Sequence, residues 1–281
     1  MTVSLPRHGA PLPDHERLAH DARAEASAFI EVLERSPEMI DVAHGLAELN
    51  LQARCWIDAE AAAAETWEAA VTAMETATAM FAITSSDMGS VECRIGDKQL
   101  TLPRIGLRTC AHVGNWLNAF YLAAACRDGD RITELCGVSV DALRSVGGAD
   151  EFLYLWAEIL QAFWTGREGL EDKFRAVFEV SAPEVAIGTP RELLQFVLYP
   201  PIDVLYRYLF NDVEAFNESL AWALELHALY WTSEADRIED VAGGLSLPLL
   251  ALACFAFDAE IPVAVESGYL PKYLMNRAWF N

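Results

Sequence analysis

The sequence predicts an all-α protein, an irregular array of antiparallel helical hairpins similar to an α-solenoid. First, apolar residues recur at spacings of three and four in nearly every segment, which places them on one face of a helix. Second, the 281 residues are 53% hydrophobic and rich in alanine, as closely packed helices require. Third, short acidic turns separate the helical runs, so consecutive helices fold back on each other to bury their apolar faces.

The clearest predicted helix covers residues 213–231. Its apolar positions share one helical face: Val213, Phe216, Leu220, Leu224, His227 and Trp231. Its polar positions fall largely on the other side: Glu214, Asn217, Glu218 and Glu225. The spacing therefore predicts an amphipathic helix that packs on a core along one side only.

Acidic turns end helical runs near residues 58, 128, 212 and 258. A shift of 84 positions places Asp128 on Asp212, and it aligns the apolar positions that follow each turn. The intervals between the four turns are unequal, however. The pattern predicts hairpins without a strict repeat length.

The first half of the chain is predicted to begin with an extended tail, residues 1–13, which contains three prolines. Residues 14–281 are predicted to form a single helical domain. Asp14 is placed to cap a helix that runs to about residue 35. A second helix begins at Ser36-Pro37 and runs toward Trp56, and a third covers residues 60–83.

Residues 84–106 interrupt the helical pattern. Residues 91–95 and 99–102 alternate in polarity about a Gly-Asp-Lys turn, which predicts a small β-hairpin near residues 91–102.

Helices resume in the second half. They are predicted at residues 109–127, 131–136, 140–144, 150–165, 168–180 and 189–199, and again from residue 202 after two prolines. After the helix at 213–231, Ser233 is expected to cap a helix over 234–241. A buried helix follows at 245–257, and residues 266–280 are expected to dock as the last helix.

The net charge of −22 limits the classes of partner. Such a surface repels nucleic acid and anionic lipid at long range, and it attracts a basic protein. The acids cluster most closely near the end of residues 212–240, at Glu234, Asp236, Glu239 and Asp240. This cluster is either a solvated face or a docking surface for a basic partner, and the charge pattern leaves both interpretations open.

The cysteines and the apolar runs predict a cytoplasmic protein. The six cysteines are scattered without a CxxC pair, which suits free thiols in a reducing compartment. The N-terminus lacks the apolar core of a secretion signal. The longest uninterrupted apolar run, residues 249–257, has nine residues and is too short to span a bilayer.

Catalytic and cofactor motifs are absent from the sequence, so no enzyme activity and no cofactor are predicted. Cys110 and His112 could begin a metal site or a thiol nucleophile, but neither a second ligand pair nor an orienting residue accompanies them. His227 lies on an apolar face, where a hydrogen-bonded core histidine is the expected role. At least three of four tryptophans are expected to be packing residues: Trp116, Trp156, Trp164 and Trp231.

Six segments in chain order give the sequence a family resemblance. They are ETWEAAVTAM (65–74), GNWLNAFYLAAACRD (114–128), RITELCGV (131–138), LYPPIDVLYRYL (198–209), FNESLAWALELHALYWT (216–232) and ESGYLPKYL (266–274). With these segments the chain resembles the immunity protein 49 family of bacterial polymorphic toxin systems. The resemblance implies an intracellular helical protein that neutralises a toxin domain by binding it, and it implies no reaction.

Three functions therefore remain open. The first is an immunity protein that occludes the active site of a cognate toxin, which would be basic if it is a nuclease. The second is a helical-repeat scaffold for another cellular protein. The third is an enzyme with a site in the concave face of the array, which a large buried polar pocket would favour.

Overall fold

A computed structural model describes residues 2–86, 88–210 and 212–280, and it confirms the predicted all-α class. The helices are α1 Pro13–Ile30, α2 Ile40–Ile57, α3 Ala64–Thr84, α4 Val113–Ala125, α5 Gly129–Cys136, α6 Val140–Val146, α7 Glu151–Thr165, α8 Leu170–Val180, α9 Arg191–Leu193, α10 Pro200–Leu209, α11 Val213–Thr232, α12 Ala235–Ile238, α13 Leu247–Asp258 and α14 Lys272–Met275. The strands are β1 Val3–Leu5, β2 Ser90–Ile95, β3 Lys98–Pro103 and β4 Val265–Ser267.

Consecutive helices pack in pairs along the chain. Helix α1 packs on α2, α2 on α3, α7 on α8, and α10 on α11. Helix α13 also packs on α4, which precedes it by more than a hundred residues, and on α10. One cluster of buried apolar residues therefore continues from Ala26 to Leu274.

Two acidic turns have the same capping geometry, which explains their sequence similarity. The Asp128 carboxylate accepts a hydrogen bond from the Arg131 backbone N–H at 3.1 Å, at the start of α5. Asp212 accepts from the Ala215 N–H at 3.0 Å, at the start of α11. Each aspartate satisfies one of the free N–H groups at a helix N-terminus.

The predicted β-hairpin is confirmed. Strands β2 and β3 pair antiparallel, with Ile95 opposite Lys98. Gly96 in the turn adopts a positive φ of 63°, which glycine tolerates without strain. The turn is held against α3, because the Gly96 N–H donates to the Glu75 carboxylate at 2.6 Å.

The N-terminal segment is extended, and it packs on the rest of the protein. Strand β1 pairs in parallel with β4, a pairing that the sequence analysis missed. The Arg7 guanidinium donates to the Cys55 carbonyl at 2.6 Å and lies 4.2 Å from the centre of the Trp56 ring. His8 Nδ1 lies 2.7 Å from the Tyr269 hydroxyl.

Two helix predictions in the last third of the chain are wrong. The predicted helix over 266–280 is instead strand β4, the single turn α14 and a final 3₁₀ turn, because its first residues hydrogen-bond to β1. The predicted helix over 234–241 is only the short α12. Ser233 ends α11 instead of capping it, and Asp240 caps a separate 3₁₀ turn through the Ala242 N–H at 2.9 Å.

The structure also differs from the predicted helices at two smaller points, each next to a proline. Helix α1 begins at Pro13, so Asp14 lies in its first turn and does not cap it. The segment predicted as a helix over 189–199 is the short α9 followed by a π-helical turn, Leu194–Leu198. There the Tyr199 N–H bonds to the Leu194 carbonyl at 2.9 Å, immediately before Pro200, which has no N–H to donate.

The most apolar segment of the described chain belongs to the core. By length and composition, Val241–Asp258 could cross a bilayer, but 72% of it is buried inside the protein. Within this segment α13 packs on α4 and α10. Its apolar character therefore follows from its position between other helices.

Candidate functional site

The predicted acidic cluster forms an exposed segment, residues 234–240, directly after α11. All four predicted acids, Glu234, Asp236, Glu239 and Asp240, are exposed. Arg237 in their midst pairs with Glu234 at 3.1 Å, and also with Glu192 of α9 at 2.9 Å. The carboxylates of Asp236 and Glu239 form no hydrogen bond or ion pair within the described chain, so their charges face solvent without a partner.

Helix α11 extends this negative surface. Glu214, Glu218 and Glu225 are exposed on its outer side, and the helix contains no lysine or arginine. The predicted inner face is buried at Phe216, Leu220, Leu224 and His227, whereas Val213 at one end is exposed and Trp231 at the other is only partly buried. We call α11 together with residues 234–240 the acidic surface.

Trp222 on this surface was not identified from the sequence. It is 60% exposed, and Leu229, two turns further along α11, is 51% exposed. The sequence contains the signal, because position 222 is four residues after Glu218 and three before Glu225. This spacing places the indole on the polar side of the helix. Three of the four tryptophans considered from sequence do pack on the core or within it: Trp116, Trp156 and Trp164.

His227 is a core residue that joins α11 to the turn after α12. Its Nε2 lies 3.1 Å from the Gly243 carbonyl oxygen, and its ring lies 4.8 Å from that of Tyr269. Burial lowers the pKa of His227 from its ordinary 6.5 to about 4. The imidazole is therefore neutral at pH 7, and its Nε2–H donates to the carbonyl.

Replacing His227 by alanine is expected to lower the free energy of unfolding at pH 7 by about 1–3 kcal/mol, because the buried Gly243 carbonyl loses its donor. The substitution should also change the pH profile. Since the folded-state pKa is depressed, the unfolded state binds the proton more strongly. The native protein therefore loses stability as pH falls from 6.5 toward 4, at up to about 1.4 kcal/mol per unit.

Urea denaturation of both proteins between pH 7 and pH 4 measures this difference. Glu218→Gln on the exposed face is the control and should change stability by less than about 0.5 kcal/mol. Parallel pH profiles for the native and His227→Ala proteins would contradict the assignment. Unchanged stability with lost partner binding would instead assign His227 to the site.

Cys110 and His112 lie at the start of α4, where the structure gives His112 a capping role. His112 caps α4, since its Nδ1 accepts from the Asn115 N–H at 3.2 Å. Burial lowers the pKa of His112 and raises that of the Cys110 thiol, which favours the neutral form of both. Within the described residues, no group of three or more His, Cys, Asp or Glu side chains could hold a metal ion.

An open groove of about 700 Å³ lies between α3, α5 and the β-hairpin. Charged groups beside it pair with each other. The buried Glu75 carboxylate lies 3.5 Å from Arg94 and 3.9 Å from Arg131, and Arg131 lies 3.2 Å from Asp128. Burial raises the pKa of Glu75. These contacts hold the hairpin on α3.

Comparison with known proteins gives one family. The model of the family described as immunity protein 49 matches residues 58–274. The match contains all of α11 and residues 234–240, and α1 and α2 lie outside it. No curated protein and no solved structure matches the chain.

Proposed function

The chain belongs to the immunity protein 49 family, and from this membership we propose that it binds a cognate toxin domain and neutralises it by covering the toxin's active site. It does so in the cytoplasm of the bacterial cell that produces both proteins. The proposal needs a stable scaffold and a complementary surface, and it involves no reaction and no cofactor.

The observation that supports this proposal is the acidic surface. Residues 212–240 contain eight acids and one arginine, and that arginine is already paired with Glu234 and Glu192. A surface of one sign steers a partner of the opposite sign and raises the association rate. If the toxin is a nuclease, its active site binds phosphates, and the carboxylates of the acidic surface would occupy their place.

Hydrogen bonds within the chain hold helix α11 of the acidic surface in place. Asp212 caps the first turn of α11. Asn217 donates to the Pro262 carbonyl at 2.9 Å and accepts from the Ala264 N–H at 2.6 Å, which fixes the helix on the segment before β4. A preorganised helix loses little conformational freedom on binding, so more of its contact energy contributes to affinity.

Co-expression tests the proposed function. The toxin domain encoded in the neighbouring open reading frame is induced in cells with and without this protein. Cells that contain both are expected to survive, and a complex is expected on gel filtration. Equal killing in the two strains, with no complex, would contradict the immunity function for that pair.

Neutralising the predicted contact acids is expected to slow association. The variant Glu234→Gln, Asp236→Asn, Glu239→Gln, Asp240→Asn should associate with the toxin domain about 10-fold more slowly at low salt. Its association rate should also depend less on salt, while dissociation changes less. Asparagine can still cap at position 240, so the thermal midpoint should stay close to that of the native protein.

A control with the same change in charge separates local from global electrostatics. The variant Asp14→Asn, Glu16→Gln, Asp21→Asn, Glu25→Gln removes four exposed acids from α1. Stopped-flow association should be slowed clearly less by this variant than by the first. Equal rates for the two variants would show that the acidic surface has no special role, while the immunity function itself would stand.

A further inference from the structure

We propose that Trp222, Leu226 and Leu229 form the apolar centre of the contact with the toxin, and that the toxin places an arginine on the Trp222 ring. The proposal rests on the proposed function and specifies its interface: a basic toxin surface whose guanidinium lies between the indole and the neighbouring glutamates of α11.

The three apolar residues form one continuous stripe. Their spacing of four and three residues places them in contact along the helix surface over two turns, about 10 Å. Trp222 and Leu229 are exposed, and Leu226 between them is partly covered. Isolated exposed apolar side chains are common on protein surfaces, but adjacent ones with a charged border indicate a binding site.

The structure gives Trp222 no internal role. Within the described residues its indole N–H has no acceptor, and its ring contacts no other aromatic ring. Five other tryptophans each donate the indole N–H to a protein oxygen: Trp56, Trp116, Trp156, Trp164 and Trp279. Removal of the Trp222 ring therefore breaks no hydrogen bond or aromatic contact within the described residues, and its exposed apolar area is available to a partner.

The charges around the stripe select the partner. Glu218 and Glu225 flank Trp222 on the same helix face, and α11 has no positive side chain to balance them. A second copy of this chain would bring glutamates against glutamates, which opposes self-association through this face. An arginine guanidinium suits an exposed aromatic ring bordered by carboxylates, because it stacks on the ring while its N–H groups donate to the carboxylates.

The protein already contains this arrangement further along the acidic surface. The Arg237 guanidinium lies 4.1 Å from the centre of the Tyr230 ring. The same guanidinium pairs with Glu234 at 3.1 Å and Glu192 at 2.9 Å. At Tyr230 an arginine of the same chain contacts both the ring and the acids. Within the described chain no arginine contacts the Trp222 ring or its neighbouring glutamates, and the arginine of the toxin takes that position.

The test measures binding of purified Trp222→Ala protein to the toxin domain encoded beside it, prepared as an inactive variant. We expect the dissociation constant to rise at least about 30-fold, mainly through faster dissociation, as for a tryptophan at the centre of an interface. Leu229→Ala should weaken binding less, and Trp222→Phe should retain part of the affinity. Ile187→Ala, which truncates an 87% exposed residue outside α11, is the matched control and should bind like the native protein.

Each result bears on a different claim. If the Trp222→Ala protein binds with native affinity, Trp222 is not at the centre of the contact, and the proposed function remains intact. Absence of binding by the native protein would overturn both. A native protein that is dimeric by light scattering and becomes monomeric on Trp222→Ala would assign the stripe to self-association and would also overturn the proposal.

Discussion

Replacing Arg127 by alanine is expected to lower the free energy of unfolding by about 3–5 kcal/mol, the usual cost of breaking a buried charge network from one side. The Arg127 side chain is only 6% exposed. Its guanidinium lies 3.1 Å from the Asp258 carboxylate, and it donates to the Leu274 carbonyl at 2.8 Å and to the Met275 carbonyl. It therefore joins the end of α4, the end of α13 and the C-terminal segment.

Two further variants define the source of this effect. Arg127 has a positive φ of 55°, where a residue with a Cβ is strained by about 1–2 kcal/mol and glycine is not. Arg127→Gly should therefore be less destabilised than Arg127→Ala. Arg17→Ala, which removes an exposed pair with Asp14, should cost less than about 1 kcal/mol. Urea denaturation measures all three, and equal stabilities for the two arginine-to-alanine variants would contradict the account.

Replacing Trp56 by alanine is expected to cost a similar amount, about 3–5 kcal/mol. The Trp56 side chain donates to the Val241 carbonyl at 2.9 Å and lies beneath the Arg7 guanidinium. It also packs so closely on Gly244 that a Cβ added there would collide with the indole. The ring thus connects the N-terminal segment, α2 and the turn that follows the acidic surface.

Trp222→Ala is the matched control for this prediction. It removes the same atoms from an exposed site, so the free energy of unfolding should change by less than about 0.5 kcal/mol. Proteolysis of the first twelve residues should become faster in the Trp56→Ala protein, because their packing partner is lost. A stable Trp56→Ala protein with a protected N-terminus would show that the segment is held by β1 and β4 alone.

The sequence predicts the parts of this fold that depend on local interactions. The amphipathic pattern of α11, the acidic turns at Asp128 and Asp212 and the β2–β3 hairpin each involve residues within a few positions of one another, and all are confirmed. Strands β1 and β4 are separated by about 260 residues, and neither has a periodic pattern of its own. Their pairing depends on where α11 and α13 bring the two chain ends together, which single-segment patterns do not contain.

Only part of the candidate site could be predicted, because the sequence shows local patterns and not the contacts between distant residues. Exposure of Glu234, Asp236, Glu239 and Asp240 follows from local polarity, and the structure shows all four exposed. Their role as contacts remains a prediction. The pairing of Arg237 with Glu192 was not visible from sequence, because the two residues are 45 positions apart. Trp222 was overlooked because tryptophan usually packs inside a protein, although its neighbours at positions 218 and 225 placed it outside.

The measurement that tests the central claim most directly is a titration of the toxin's activity with this protein. If the acidic surface covers the active site, activity should fall in proportion to the protein added and reach zero at one equivalent. The Trp222→Ala protein should then require a large excess, while Ile187→Ala protein should match the native one. Full toxin activity in the presence of excess native protein, whether or not the two form a complex, would contradict neutralisation by occlusion.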